Sequence, residues 1–101
     1  MIKHIVFFSF VDSYEGMSKS EIALEVKKQL EALDGLVPEL RKIEVGLNHP
    51  DAPTSNYDLA LYTEFDNMSD LDAYQIHPEH KRVAGFIGKV KTERACVDYE
   101  F

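Results

Sequence analysis

Ile2-Lys3-His4-Ile5-Val6-Phe7-Phe8-Ser9-Phe10-Val11 is the stretch on which the fold depends. Its β-branched and aromatic content predicts a strand. Alternate side chains of a strand point to opposite faces of the sheet. The even positions carry Ile2, His4, Val6, Phe8 and Phe10, and the odd positions carry Lys3, Ile5, Phe7, Ser9 and Val11. Both sets are largely apolar, so both faces of this sheet need cover. Helices of the same chain can supply one cover only.

The rest of the chain supplies those helices and three more strands. Ser18-Lys19-Ser20-Glu21 is a capping box, followed by Ile22, Val26, Leu30 and Leu33 at helical spacing. Gly35 suits a left-handed helix end and Pro38 blocks continuation, which predicts a helix over about 18–34. Ile43, Val45 and Leu47 alternate with Lys42, Glu44 and Gly46 as a half-buried strand over about 40–48. Residues 48–56 read as a loop, and Tyr57 to Phe65 as a third strand with Leu59, Leu61 and Phe65 on one face. Ser69-Asp70-Leu71-Asp72 repeats the capping pattern and opens a short helix to about Ile76. His77-Pro78-Glu79-His80 restarts a helix buried through Val83, Phe86, Ile87 and Val90. Thr92 to Phe101 is the last strand, with Ala95, Val97, Tyr99 and Phe101 on one side and Arg94, Cys96, Asp98 and Glu100 on the other.

The order strand, helix, strand, strand, helices, strand is the split βαβ plan of a ferredoxin-like α+β domain with an antiparallel sheet and helices on one face. One such domain accounts for residues 1–101. If the even side of the first strand faces the helices, Phe7 and Val11 are left on an open apolar face. A patch of that kind marks an interface, and a second copy placed face to face closes two sheets into a barrel. A homodimer is therefore expected.

Charge excludes other partners. The chain has 11 Lys and Arg against 18 Asp and Glu, a formal charge of −7. Its basic residues are scattered, so nucleic acid and anionic membrane surfaces are not expected partners. The single cysteine, Cys96, can form no disulfide within the chain. The apolar run after Met1 is too short to span a bilayer and lacks a basic leader, which makes a cytoplasmic location the expectation.

Met1-Ile2-Lys3-His4-Ile5-Val6, Ile43-Glu44-Val45-Gly46 with Asn48, Ala73-Tyr74-Gln75-Ile76-His77-Pro78-Glu79-His80 and Val97-Asp98-Tyr99 together resemble the stress-responsive A/B barrel (Dabb) family. The likeness runs in order over essentially the whole chain, and Tyr-x-x-His-Pro-x-His is its most specific part. It implies a ferredoxin-like unit that dimerises into an α+β barrel. Family members include stress-associated plant proteins, many bacterial proteins of unknown role and a plant cyclase that closes a linear polyketide. By that resemblance His80 is the acid/base, Tyr74 helps hold substrate and Asp98 orients the histidine, and His4 matches as well.

His4, Tyr74, His77, His80 and Asp98 are thus one candidate cluster, and if the strand parities of His4 and Asp98 face the helices, both lie beneath the His-Pro-Glu-His turn. A histidine held by a carboxylate has a fixed tautomer and suits general acid/base work. Val6, Phe8, Val26, Leu30, Leu61 and Cys96 are expected to line an apolar cavity for a small hydrophobic ligand. The expected chemistry is a cofactor-free lyase, cyclase or isomerase acting on a small carbonyl compound. His80 would move the proton, Asp98 would orient it, and Tyr74, His77 and His4 would position substrate oxygens.

Other readings use the same residues. His77 can simply cap the helix that begins at Pro78, and His80 with Asp98 can pin a helix to the sheet. Three histidines with Asp98 invite a zinc reading, and the His77-x-x-His80 spacing puts two rings on one helical face, but the order His-Pro-Glu-His departs from His-Glu-x-x-His and no cysteine pair supports it, so no metal is expected. Cys96 could be a nucleophile with His80 as base, although its strand position suggests an inert core thiol. The main rival function is a non-enzymatic, stress-associated binding or assembly module, and a haem-linked monooxygenase is a weaker third.

Overall fold

In the computed structural model, which describes residues 1–101, β1 (Ile2–Phe10) is an inner strand of a four-stranded antiparallel sheet. The sheet order is β4 (Lys42–Leu47), β5 (Leu59–Phe65), β1 and β6 (Lys91–Glu100). The even side of β1 is buried throughout, as are Leu59, Leu61, Thr63 and Phe65 of β5. Against that face pack α1 (Lys19–Glu31), through Ile22, Ala23, Val26 and Leu30, and α3 (Pro78–Val90), through Val83, Ile87 and Val90. Each fully buried aliphatic side chain in this layer contributes ~1.5–3 kcal/mol of transfer free energy. The ferredoxin-like α+β reading holds.

The capping box opens α1 as expected. Ser18 Oγ accepts from the Glu21 amide at 3.2 Å, and Glu21 Oε1 accepts from the Ser18 amide at 3.0 Å. The helix ends at Glu31, three residues short of the expected end. Beyond it the chain tightens into i→i+3 turns, Leu33 to Leu30, Leu36 to Leu33 and Leu40 to Val37. These keep Leu33, Val37 and Leu40 buried, while Gly35 takes the left-handed φ of 83°.

Three local features depart from the sequence reading. Residues 13–18 form a small hairpin, β2 (Ser13–Tyr14) and β3 (Met17–Ser18), turning through Glu15 and Gly16 at φ 47° and 82°. Positive φ at both turn positions is the type I′ geometry that matches strand twist. Asn67, not Ser69, caps α2 (Met68–Ile76); its side-chain oxygen accepts from the Asp70 amide at 2.8 Å. The chain turns as soon as Phe65 leaves the sheet, and asparagine caps at least as well as serine. Val11, expected on the open face, packs partly buried against the core, because β1 has ended at Phe10 and its pairing with β6 shifts register between Ser9 and Phe10.

The other face of the sheet is uncovered. Phe7, Val97, Tyr99 and Phe101 are 37%, 50%, 43% and 52% exposed, and together they make up most of an apolar surface. Lys3 bridges it, with Nζ 4.5 Å from the centre of the Phe101 ring. Glu93 and Glu100 are exposed on the edge strand β6. No helix is long and apolar enough to cross a membrane.

Candidate active site

Register places Thr63, His4 and Asp98 side by side on adjacent strands β5, β1 and β6. All three side chains lie on the helix-covered side. His4 is buried, and its Nδ1 is hydrogen-bonded to Asp98 Oδ1. A carboxylate can only accept, so Nδ1 carries the proton and Nε2 is the nitrogen left for other work. The Thr63 hydroxyl donates to the His4 carbonyl at 2.8 Å, which leaves no buried polar group of this row unpaired.

The second imidazole comes from the α2–α3 junction. Pro78 cannot continue α2 because it has no amide hydrogen, so the chain breaks at His77. His77 becomes the cap of α3, its Nδ1 accepting from the Glu79 amide at 3.1 Å. The break leaves the Gln75 carbonyl without a helical donor. His80 Nδ1 donates to that carbonyl at 3.1 Å, which again leaves Nε2 free. Asp98 therefore orients His4, and a main-chain carbonyl orients His80; the expected Asp98–His80 pair is not the one that forms.

Burial pushes His80 below its ordinary pKa of 6.5, outweighing the Gln75 hydrogen bond, and His4, Arg94 and His77 add to the depression. His80 is thus neutral at pH 7, with an accepting Nε2. The unfolded chain takes up this proton more readily than the folded one, so stability is lost as pH falls below 6.5. Urea midpoints at about pH 7 and about pH 5 are expected to fall less for His80→Gln than for the wild type.

Tyr74 stands behind both histidines. Its ring centre lies 4.4 Å from that of His80, 6.5 Å from that of His4 and 5.0 Å from that of Phe65. The residue is wholly buried, and its hydroxyl meets no protein partner.

His4 and His80 share a cavity of about 110 Å³ between the sheet and α3. Val6, Phe8, Leu30 and Leu61 line it as expected, joined by Gln75, Val83, Ala84, Ile87, Lys91 and Arg94. Val26 and Cys96 do not line it. Val26 is sealed in the core, and Cys96 is exposed on the edge strand β6. Tyr74, His77 and Asp98 do not line the cavity either. The stripe His80, Val83, Ala84, Ile87 follows from helical spacing, and Arg94 shares its strand parity with Cys96 and Asp98. A wider hollow of about 600 Å³ lies under the loop before β5, lined by Phe7, Leu47, Tyr57 and Ala60 among others. Its lining holds His49 and Tyr57 but no carboxylate and no second imidazole.

The metal-ligand chemistry also sits elsewhere than the helical His-x-x-His spacing suggests. One nitrogen, sulfur or oxygen each of His4, Cys96 and Asp98 lie within 4.8 Å of one another. Cys96 Sγ is 3.6 Å from His4 Nδ1 and 3.7 Å from Asp98 Oδ1, so the imidazole beside this thiol is that of His4 rather than His80, and the nitrogen it faces already carries the proton donated to Asp98. Partial burial, then the Asp98 charge, push the thiol above its ordinary pKa, which disfavours the thiolate needed by a nucleophile or a ligand.

Residues 2–101 match the stress responsive A/B barrel domain. The chain belongs to the Dabb family. Among solved structures, it is 42% identical to a dimeric ferredoxin-like protein of unknown function from Bacteroides fragilis, covering 99% of this chain and 95% of that one, with a TM-score of 0.87. A second dimeric ferredoxin-like protein of unknown function, from Thermobifida fusca, is 27% identical over 99% and 90% of the two chains, with a TM-score of 0.83. Hydroxynitrile lyase from Passiflora edulis has the same fold at 16% identity, covering 97% and 90%, with a TM-score of 0.76. No curated protein matches the chain. The Dabb assignment agrees with the motifs from which it was expected.

Proposed function

We propose that the cavity between the sheet and α3 is a small-molecule site, and that this Dabb protein is a cofactor-free enzyme of lyase or cyclase type acting on a small hydrophobic carbonyl compound. The observation that carries this is the pair of imidazoles, His4 and His80, each anchored through Nδ1 and facing one apolar cavity. His80, kept neutral by burial, takes the proton next to the carbonyl through Nε2. The electron pair of the broken C–H bond moves to the carbonyl oxygen. His4, whose positive charge Asp98 can balance, donates to that oxygen in its protonated form. A positioned acid or base of this kind typically contributes about 10²–10⁴-fold. The Passiflora hydroxynitrile lyase supports the proposal only as an instance of the fold in a lyase. The working unit is proposed to be a homodimer joined through the open sheet face, in line with the dimeric relatives.

Proton removal can be read without knowing the product. Small aliphatic and aromatic ketones incubated with the protein in D₂O should exchange their α-hydrogens faster than in buffer. His80→Ala should lower that rate at least about 10²-fold with the dimer intact. Unchanged exchange in His80→Ala would sink the assignment. Ligand binding with no exchange in the wild type would leave a binding module.

A further inference from the structure

The cavity differs in charge between floor and rim. Its floor is apolar apart from the two imidazoles, whereas the exposed rim is Gln75, Ala84, Lys91 and Arg94. No Asp or Glu borders it, in a chain that has 18 of them and a net charge of −7. Neither Lys91 nor Arg94 enters an ion pair; Lys3, Lys28, Lys42, Lys81 and Lys89 are unpaired too, but only Lys91 and Arg94 border this cavity. Arg94 is close enough to His80 to oppose its protonation. Two cations without counter-charges, beside a histidine, raise the local potential, and a ligand that lowers it is favoured.

We infer that the ligand of this cavity is an organic acid, with its apolar part on the Val6, Phe8 and Leu61 floor and its carboxylate between Lys91 and Arg94. This rests on the reading of the cavity as a small-molecule site. A cavity of about 150 Å³ holds benzene, so 110 Å³ encloses an apolar part of roughly four to six carbons. Arginine offers the carboxylate a two-pronged donor, and lysine offers a point charge.

Hexanoate and hexanamide have the same carbon skeleton and differ in charge, which makes them suitable probes. In calorimetric titrations of the full chain near neutral pH, hexanoate is expected to bind about 10–100-fold more tightly than hexanamide. The double variant Lys91→Gln/Arg94→Gln is expected to erase that difference while still binding hexanamide, which also shows that it folds. Equal binding of the two probes by the wild type overturns the inference and leaves the cavity standing as a neutral-ligand site. If neither probe shifts the methyl resonances of Val6, Val83 and Ile87 at millimolar concentration, the cavity reading fails and the inference with it.

Discussion

Tyr74→Ala is expected to cost the fold about 3–5 kcal/mol, whereas Tyr74→Phe should leave it equally stable or more so. The asymmetry follows from what each change removes. Alanine deletes a wholly buried ring that packs on Phe65 and on both site histidines, and it leaves a hole between α2 and the sheet. Phenylalanine deletes only a hydroxyl that no protein group accepts from, and a buried donor without a partner is a cost. For a domain of this size the alanine variant should melt at least about 12 °C lower, compared at equal protein concentration because of the proposed dimer. The same pair of variants tests the role that family resemblance gave to Tyr74. A hydroxyl that holds substrate would make Tyr74→Phe slow in α-hydrogen exchange. Because Tyr74 lies behind His80 rather than in the cavity wall, the expected result is a rate close to wild type. A stable but inactive Tyr74→Phe would return the hydroxyl to the site.

The strands and helices were legible wherever the signal was local. Parity in β1 placed His4, Val6 and Phe8 under the helices, and the Ser18–Glu21 box and Pro78 marked two helix starts. The hairpin at 13–18 was missed because its turn is Glu15-Gly16, and only the glycine suits a positive φ without strain. Pairing within the site was less legible, because it depends on register between strands more than ninety residues apart. Parity put His4 and Asp98 on one face; only the His4–Asp98 register shows that the carboxylate serves β1 and not α3. Lys91 reached the cavity rim through the register shift opposite Ser9 and Phe10, which breaks the alternation that puts Arg94 on the same side as Asp98; neither cation was read from the sequence as a site residue. The orienting partner of His80 is a main-chain carbonyl, which no side-chain pattern can announce.

Val97→Asp is expected to dissociate the proposed homodimer while leaving the protomer folded. Val97 pairs with Ile5 at the centre of the open face, and Tyr62 lies opposite Ile5 on the other side. In the protomer Val97 is half exposed, so a carboxylate there keeps its water and costs the monomer little. In a face-to-face dimer the same carboxylate loses that water against apolar side chains, at several kcal/mol per buried ion. Two-fold symmetry applies the penalty twice. Dissociation should therefore strengthen by at least about 10³-fold, enough to turn a micromolar dimer into a monomer at ordinary concentrations. Leu24→Asp is the matched control, since Leu24 is exposed on α1, which packs on the opposite face of the sheet from Val97. Light scattering behind size-exclusion chromatography should find Leu24→Asp dimeric and Val97→Asp monomeric. A Val97→Asp dimer would move the interface off this face and leave Phe7, Val97 and Tyr99 without a reason to be apolar. If the monomer forms and still exchanges α-hydrogens, each protomer carries a complete site, as the lining of the cavity by a single chain leads one to expect.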